Sequence, residues 1–299
     1  MVRWNICEQT SQNPHTLLAT IRNRQHDLQE LMSTEKTKRL RKAKHWLRRY
    51  AYYLPQVSLA RYFCTIYLDA HFGDTDANMD LNGEAEFLKN TIPPNDSDYI
   101  VFDVGANAGE WANRVLEINP NIKIHCFEPT DTIFQQLQEN VPPNVICNKL
   151  ALGSQSGIQD FYHYESGGVH NSFFLHSDLL LASKERVTVE TLDDYCRDSG
   201  ISQINYLKID VEGAELEVMR GAEELLSHQK IQIIQFEYGS KWIDARFFLK
   251  DAYEFARQLD YKVWKLIPGG RLRSIPRYDY RIERFRHSTY ILTDPDIKN

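Results

Sequence analysis

From residue 99 onward, short apolar runs alternate with amphipathic stretches, and the first apolar run opens directly into a glycine-containing loop. Residues 99–104 (YIVFDV), 122–127 (IKIHCF), 145–150, 187–189, 206–209 (YLKI) and 231–236 (IQIIQF) read as strands, with 261–266 and 289–292 closing the chain. Helical spacing fits 110–118, 130–140, 191–197, 215–227 and 249–259 between them. Strands separated by helices need parallel crossovers, so the pattern predicts an α/β, doubly wound, mostly parallel sheet. Residues 153–186 carry glycine and serine and suit a hairpin and loop. The last two strands lie across a polar stretch with no helical period and suit an antiparallel hairpin at one sheet edge.

Ahead of this pattern, residues 15–70 have apolar positions at threes and fours and no glycine, which predicts helix broken or kinked at Pro55. Residues 73–98 read as a connector with one short helix around 84–88. The expected division is a helical N-terminal extension, 1–95, and a catalytic domain, 96–299. The chain is 42% hydrophobic, enough to fill a core, which excludes a disordered or fibrous chain. No run approaches the roughly 18 apolar residues of a membrane span, and the first twenty residues lack a signal peptide's apolar region. Five cysteines form no CxxC pair, so no zinc knuckle is expected, and a reducing cytoplasm is the expected location.

Charge divides unevenly. Residues 1–90 carry 13 Lys+Arg against 10 Asp+Glu; the remainder carries 22 against 31. An acidic catalytic half argues against nucleic acid as a partner. The basic excess lies in residues 36–49, KTKRLRKAKHWLRR. The favoured reading is a solvated helical face, with Leu40, Trp46 and Leu47 resting on the body. The other reading is a patch for peripheral membrane or lipid-carrier contact. The N-terminal extension as a whole, 1–95, is also a candidate homodimer interface or cover for the cleft.

The loop after the first strand is Asp103-Val104-Gly105-Ala106-Asn107-Ala108-Gly109-Glu110. Its glycines permit a tight turn, and its N–H groups would face a ligand at the carboxyl end of the strand. A pyrophosphate loop reads GxGxxG; here Asn107 brings bulk to the middle position, and Asp103 and Glu110 add carboxylates that suit an ammonium group better than phosphate. Glu128 ends the second strand ahead of Pro129, where a carboxylate can accept both hydroxyls of a ribose, or serve a helix N-terminus. Asp210, Glu212 and Glu215 crowd the end of the 206–209 strand, and Glu237 ends the next. Such crowding is costly unless a cation, proton or polar ligand shares it. Glu215 is read as a helix cap, and Asp210, Glu212 and Glu237 as the catalytic candidates, with His163, His170 and His287 behind them.

The ordered set DVGANAGE, FEPT, ALGS, VTVETLDDY, LKIDVEGAELEVMRGA and QFEY resembles the FkbM family of S-adenosylmethionine-dependent methyltransferases. The resemblance covers residues 99–238 and says nothing of 1–95. It implies a seven-stranded class I methyltransferase sheet and O-methylation of a hydroxyl on a saccharide or related natural product. Carried onto this chain, it implies Asp103, Gly105, Ala106, Asn107, Gly109 and Glu110 around the methionine end of S-adenosyl-L-methionine. Glu128 and Pro129 would meet the ribose, with Ala151 and Leu152 near the adenine. The acceptor, a small molecule or glycan, would meet aromatic and polar residues of 160–186 and of the loops after 237. Hard oxygen ligands suit Mg²⁺, but no spacing demands a metal. The alternatives are an NAD-dependent oxidoreductase and a non-catalytic protein that binds S-adenosylmethionine or a glycan.

Overall fold

The computed structural model describes residues 35–51, 58–165 and 170–295. The chain forms a smaller unit, Arg3–Leu68, and a larger one that includes Asp69–Asn299. In the smaller unit, α1 (Glu35–Tyr50) and most of α2 (Ser58–Phe72) are helical as the spacing predicts; the expectations for 15–34 and for Pro55 lie outside the described residues. The basic run lies on α1 with residues 38–49 exposed, as a solvated helical face expects, and Leu40, Trp46 and Leu47 are themselves 63%, 57% and 54% exposed.

The larger unit reaches back beyond the boundary expected at residue 96. Its short helices α3 (Met79–Asn82) and α4 (Glu84–Thr91) precede the sheet. Phe87 and Leu88 are fully buried, and the Glu84 carboxylate accepts hydrogen bonds from Trp111 Nε1 (2.9 Å) and Gln235 Nε2. A buried carboxylate tied to two distant side chains binds this segment to the body.

In chain order the remaining elements are β1 (Ile100–Val104), α5 (Glu110–Ile118), β2 (Lys123–Phe127), α6 (Asp131–Asn140), β3 (Ile146–Asn148), β4 (Ala151–Leu152), β5 (Gly157–Tyr164), β6 (Leu181–Glu190), α7 (Leu192–Asp198), β7 (Ile204–Ile209), α8 (Glu215–Arg220), α9 (Glu223–Ser227), β8 (Ile231–Tyr238), α10 (Lys241–Ala245), α11 (Leu249–Gln258), β9 (Lys262–Ile267), β10 (Arg271–Ser274) and β11 (Ser288–Thr293). The main sheet runs β10-β9-β11-β8-β7-β1-β2-β3, eight strands, with β3, β2, β1, β7 and β8 parallel. The central strands are apolar on both faces, as a sheet covered by helices requires; Val101, Phe102, Leu207, Ile209 and Ile234 are fully buried.

Three departures from the sequence reading have physical causes. The last two strands expected, β9 and β11, do pair antiparallel, but not at the edge: β11 inserts between β8 and β9, antiparallel to both, and β10 lies outside them. All six residues of β11 are buried, so both its sides need ladder partners, and the edge falls to β10. Residues 145–150 do not form one strand; β3 joins the main sheet, and β4 joins a second sheet, β4-β6-β5, whose long β5–β6 hairpin exceeds the three strand residues read at 187–189. The helix expected over 215–227 breaks at Gly221, where a Cβ would lie 2.0 Å from the Gly153 carbonyl oxygen. Close passage of the two backbones ends α8 there.

Among the described residues no helix is long and apolar enough to cross a membrane.

Candidate active site

Successive strands step outward from β1 to β2 and β3, and the chain then returns to β7 on the other side of β1. Ligands of open α/β sheets bind at the carboxyl ends of the strands at such a reversal. The two loops that leave it touch: a Cβ on Gly105 (φ +79°) would lie 1.9 Å from the Asp210 carbonyl oxygen. Only glycine permits that approach. A cavity of about 600 Å³ opens at this edge, lined among others by Gly105, Asn107, Glu128, Asp210, Glu212 and Glu237.

The β1 loop does not present its N–H groups to the cavity as the sequence suggested. Gly105 and Ala106 both donate to the Phe127 carbonyl (3.0 Å each), and Gly109 donates to Ala106. Ala108 donates to the Asn107 side chain at 2.7 Å, and the Asn107 backbone hydrogen-bonds Glu128. The amides of residues 105–109 are thus spent on β2, on the Glu128 side chain or within the loop itself, and none of the five is left for a phosphate. Asn107 also gains a reason: its φ is +47°, a conformation asparagine tolerates better than most residues.

Of the residues expected around a cofactor, Gly105, Asn107, Glu128, Pro129, Ala151 and Leu152 line the cavity. Asp103, Ala106, Gly109 and Glu110 do not. Asp103 is fully buried beneath the loop, 3.3 Å from the Lys208 ammonium, with its Oδ2 unpartnered. Ala106 is buried in packing, and Gly109 lies against Val141 and Leu137, where a Cβ would meet Val141 Cγ1 at 2.6 Å. Glu110 is the exposed first residue of α5, so its charge serves the helix N-terminus.

Glu128 is 8% exposed and accepts from the Thr130 amide (3.0 Å) and hydroxyl (2.7 Å) through Oε1. Burial raises its pKa, opposed by these bonds and the one from Asn107. Beside it, Leu150, Ala151, Leu152 and Phe161 form an apolar wall.

Of the acids at the other end, Asp210, Glu212 and Glu237 are each bound to a cation or a histidine. Lys208, buried between Asp103 and Asp210 at 3.3 Å from both, stays charged because the two carboxylates outweigh its burial. Glu212 has φ +54° and meets His170 Nδ1 at 3.3 Å; burial raises its carboxyl and His170 opposes. Glu215 closes its loop by accepting from the Val211 and Gly213 amides, close to the cap expected of it.

The tightest pair is Glu237 with His287, Oε1 to Nδ1 at 2.7 Å. Burial, then the charge of Asp210, pushes Glu237 up to about 7. Burial opposes charge on His287, but Glu237 overcomes it and the imidazole rises above its ordinary value. His287 lines the cavity, and its Nε2 is buried with no hydrogen-bond partner. Of the other histidines, His170 lines the cavity, while His163 is bound to Glu185 (2.8 Å) on the hairpin, away from the lining.

The acceptor side carries Phe161, Asn171 and Phe173 from the second sheet and its loop, and Gly239, Ser240, Lys241 and Trp242 after β8, from both segments expected. The residues the sequence reading missed are Asp69, Asp74 to Ala77, and Phe285 to Arg286. Thr75 donates to the His287 carbonyl at 3.0 Å, and Arg284 bridges Asp69 and Asp74. An Asp-rich connector and an Arg-rich polar loop were both visible, but not that they pair. Among the described residues no group of three or more His, Cys, Asp or Glu is placed to hold a metal ion.

Comparison with known proteins agrees with this geometry. Residues 103–263 match the model of the methyltransferase FkbM domain. The chain is 28% identical over 159 residues to the 2-O-methyltransferase NoeI of Sinorhizobium fredii, covering 48% of this chain and 65% of that protein. It is 27% identical over 180 residues to the hexuronic acid methyltransferase AglP of Haloferax volcanii, 58% of this chain and 70% of that one. With the 31-O-demethyl-FK506 methyltransferase FkbM of Streptomyces tacrolimicus it shares 25% over 155 residues, 42% and 60% of the two chains. The match therefore spans just under two thirds of the first of these relatives. With a model match over more than half its length, on the sheet edge where the cavity opens, the chain belongs to the FkbM methyltransferase family.

Proposed function

We propose that this protein is an S-adenosylmethionine-dependent O-methyltransferase acting on a hydroxyl of a saccharide or related natural product. The observation that carries the reading is one cavity with an adenosine-type wall at one end and an oriented histidine at the other. The donor set fits the cofactor: Glu128 suits the ribose hydroxyls, Leu150 to Leu152 with Phe161 suit the adenine, and carboxylates near a loop without free amides suit an ammonium rather than a pyrophosphate. The same loop speaks against a nicotinamide dinucleotide. When bound, S-adenosylmethionine supplies an electrophilic methyl group.

His287 is the base in this reading. Its Nδ1–H is donated to Glu237, which fixes the ring and leaves Nε2 as the acceptor for the proton of a substrate hydroxyl. Glu237 positions the ring and stabilises the charge it gains. Asp210, paired with Lys208, and Glu212, paired with His170, shape and charge the cavity beside it. Phe173 suits the CH face of a sugar ring, with Asn171 and Ser240 for its hydroxyls. The relative named for a hexuronic acid, AglP, supports the saccharide class, and the 2-O-methyltransferase NoeI supports transfer to oxygen. The four described cysteines are unpaired, which supports a reducing compartment, the cytoplasm.

Calorimetry with S-adenosylhomocysteine, and NADH as control, tests the cofactor; a screen of glycosides and hydroxylated metabolites for methyl transfer tests the acceptor. Micromolar binding of S-adenosylhomocysteine alone, with turnover lost in His287→Asn, is the expected result. Binding without transfer to any acceptor would favour a non-catalytic role.

A further inference from the structure

We propose that α1 and α2 form a surface that docks on an anionic lipid bilayer. At 100° per residue, Leu40, Ala43, Trp46, Leu47 and Tyr50 fall on one face of α1, interrupted by Lys36 and Arg39, while the other six basic residues, Lys38, Arg41, Lys42, Lys44, Arg48 and Arg49, take the opposite side. In a helix packed on a protein core the apolar face is the buried one. Here Leu40, Trp46, Leu47 and Tyr50 are 41% to 63% exposed. The Trp46 and Tyr50 rings stand 5.4 Å apart on that open face, and the Arg49 guanidinium lies over the Tyr50 ring.

The second helix repeats the pattern without the charge. Leu59, Tyr62, Phe63 and Ile66 recur at threes and fours, and all are exposed, as are Tyr67 and Leu68. Exposed apolar groups at helical spacing need an apolar occupant. The dense positive charge of α1 selects its sign: eight Lys or Arg against a single acid, Glu35, in sixteen residues. A bilayer with anionic headgroups satisfies both demands at once. The aromatic and aliphatic side chains enter the headgroup boundary while the lysines and arginines stay at the phosphates. A nucleic acid would satisfy the charge but leave the apolar stripes in water.

This inference does not rest on the methyl-transfer reading, and its test requires no acceptor. Co-sedimentation of the full chain with vesicles of phosphatidylcholine, alone and mixed with phosphatidylglycerol, reads the binding directly. The expected result is association with the mixed vesicles only, weakened by added salt. Each Lys or Arg near an anionic surface contributes about fivefold to affinity, so Arg41→Gln, Lys42→Gln, Arg48→Gln and Arg49→Gln together lower it by at least about a hundredfold. Trp46→Ser with Leu47→Ser weakens it with every charge intact. Circular dichroism and thermal melting at wild-type values show that the variants remain folded. No binding to the mixed vesicles, or equal binding to neutral ones, overturns the proposal. So does a stable dimer in sedimentation that Tyr62→Ser with Phe63→Ser converts to monomer, since the stripes would then face a second copy.

Discussion

Replacing Glu237 by glutamine separates what the Glu237–His287 pair does for catalysis from what it costs the fold. Raising the carboxyl from its ordinary 4.5 to about 7 disfavours its ionised form in the folded state by about 3 kcal/mol. A group whose folded pKa is raised binds more protons folded than unfolded, so this cost is absent below about pH 4.5, grows through neutrality and is complete above about 7. The imidazole, also raised, contributes stability below its unfolded value that fades as pH climbs through the folded one. Both make the wild type lose stability between pH 5 and 8. Glutamine removes the first cost and, as an isostere of the neutral carboxyl, keeps an oxygen that can accept from the His287 ring. At pH 8 Glu237→Gln should therefore be more stable than wild type by up to about 3 kcal/mol. At pH 5, where the wild-type carboxyl is already protonated, the two should melt alike. Turnover behaves differently. Without the carboxylate, burial pulls the His287 pKa down, so kcat should fall by about 10² and its rise with pH should move below neutrality. Scanning calorimetry at the two pH values and a pH profile of kcat read both effects. Wild-type turnover, or a stability deficit that widens as pH rises, would refute the assignment of the pair.

Glu128→Ala should weaken S-adenosylhomocysteine by about 10- to 100-fold in calorimetry, the value of one or two charge-assisted hydrogen bonds, while leaving the melting temperature nearly unchanged. Asp103→Ala leaves Lys208 buried with Asp210 alone, and should cost about 3–5 kcal/mol in chemical denaturation. Gly221→Ala pushes a methyl into the Gly153 carbonyl and should destabilise by about 2 kcal/mol or more; a neutral result would mean that the α8–α9 break is not imposed by that contact. His163→Ala, at a partly buried hairpin position outside the cavity lining, should keep turnover within about twofold.

Local chemistry was legible because it is local. The strand–loop–helix units follow from apolar period and loop composition, and strand ends bring their last residues to one edge whatever the sheet order. That is why Glu128, Asp210, Glu212 and Glu237 were placed around one cavity before any fold was known. The roles of Asp103 and Glu110 were not legible, because flanking a loop does not decide whether a carboxylate points under it or out to water. The fate of the β1 amides depended on the Phe127 carbonyl, which only the pairing of β1 with β2 brings within reach.

Long-range partners belong to tertiary structure. His287 follows Glu237 by fifty residues, and it was one polar-loop histidine among three until β11 inserted beside β8 and set the two side by side. The connector at Asp69 to Ala77 joins the cavity wall because Arg284 and Lys265 neutralise Asp69 and Asp74 across about two hundred residues of chain. The exposed face of α1 lies at the same divide. Sequence determined that the helix is amphipathic, since periodicity is a property of neighbours; whether its apolar side is covered depends on what folds against it, and only the three-dimensional structure leaves Leu40, Trp46 and Leu47 in the open.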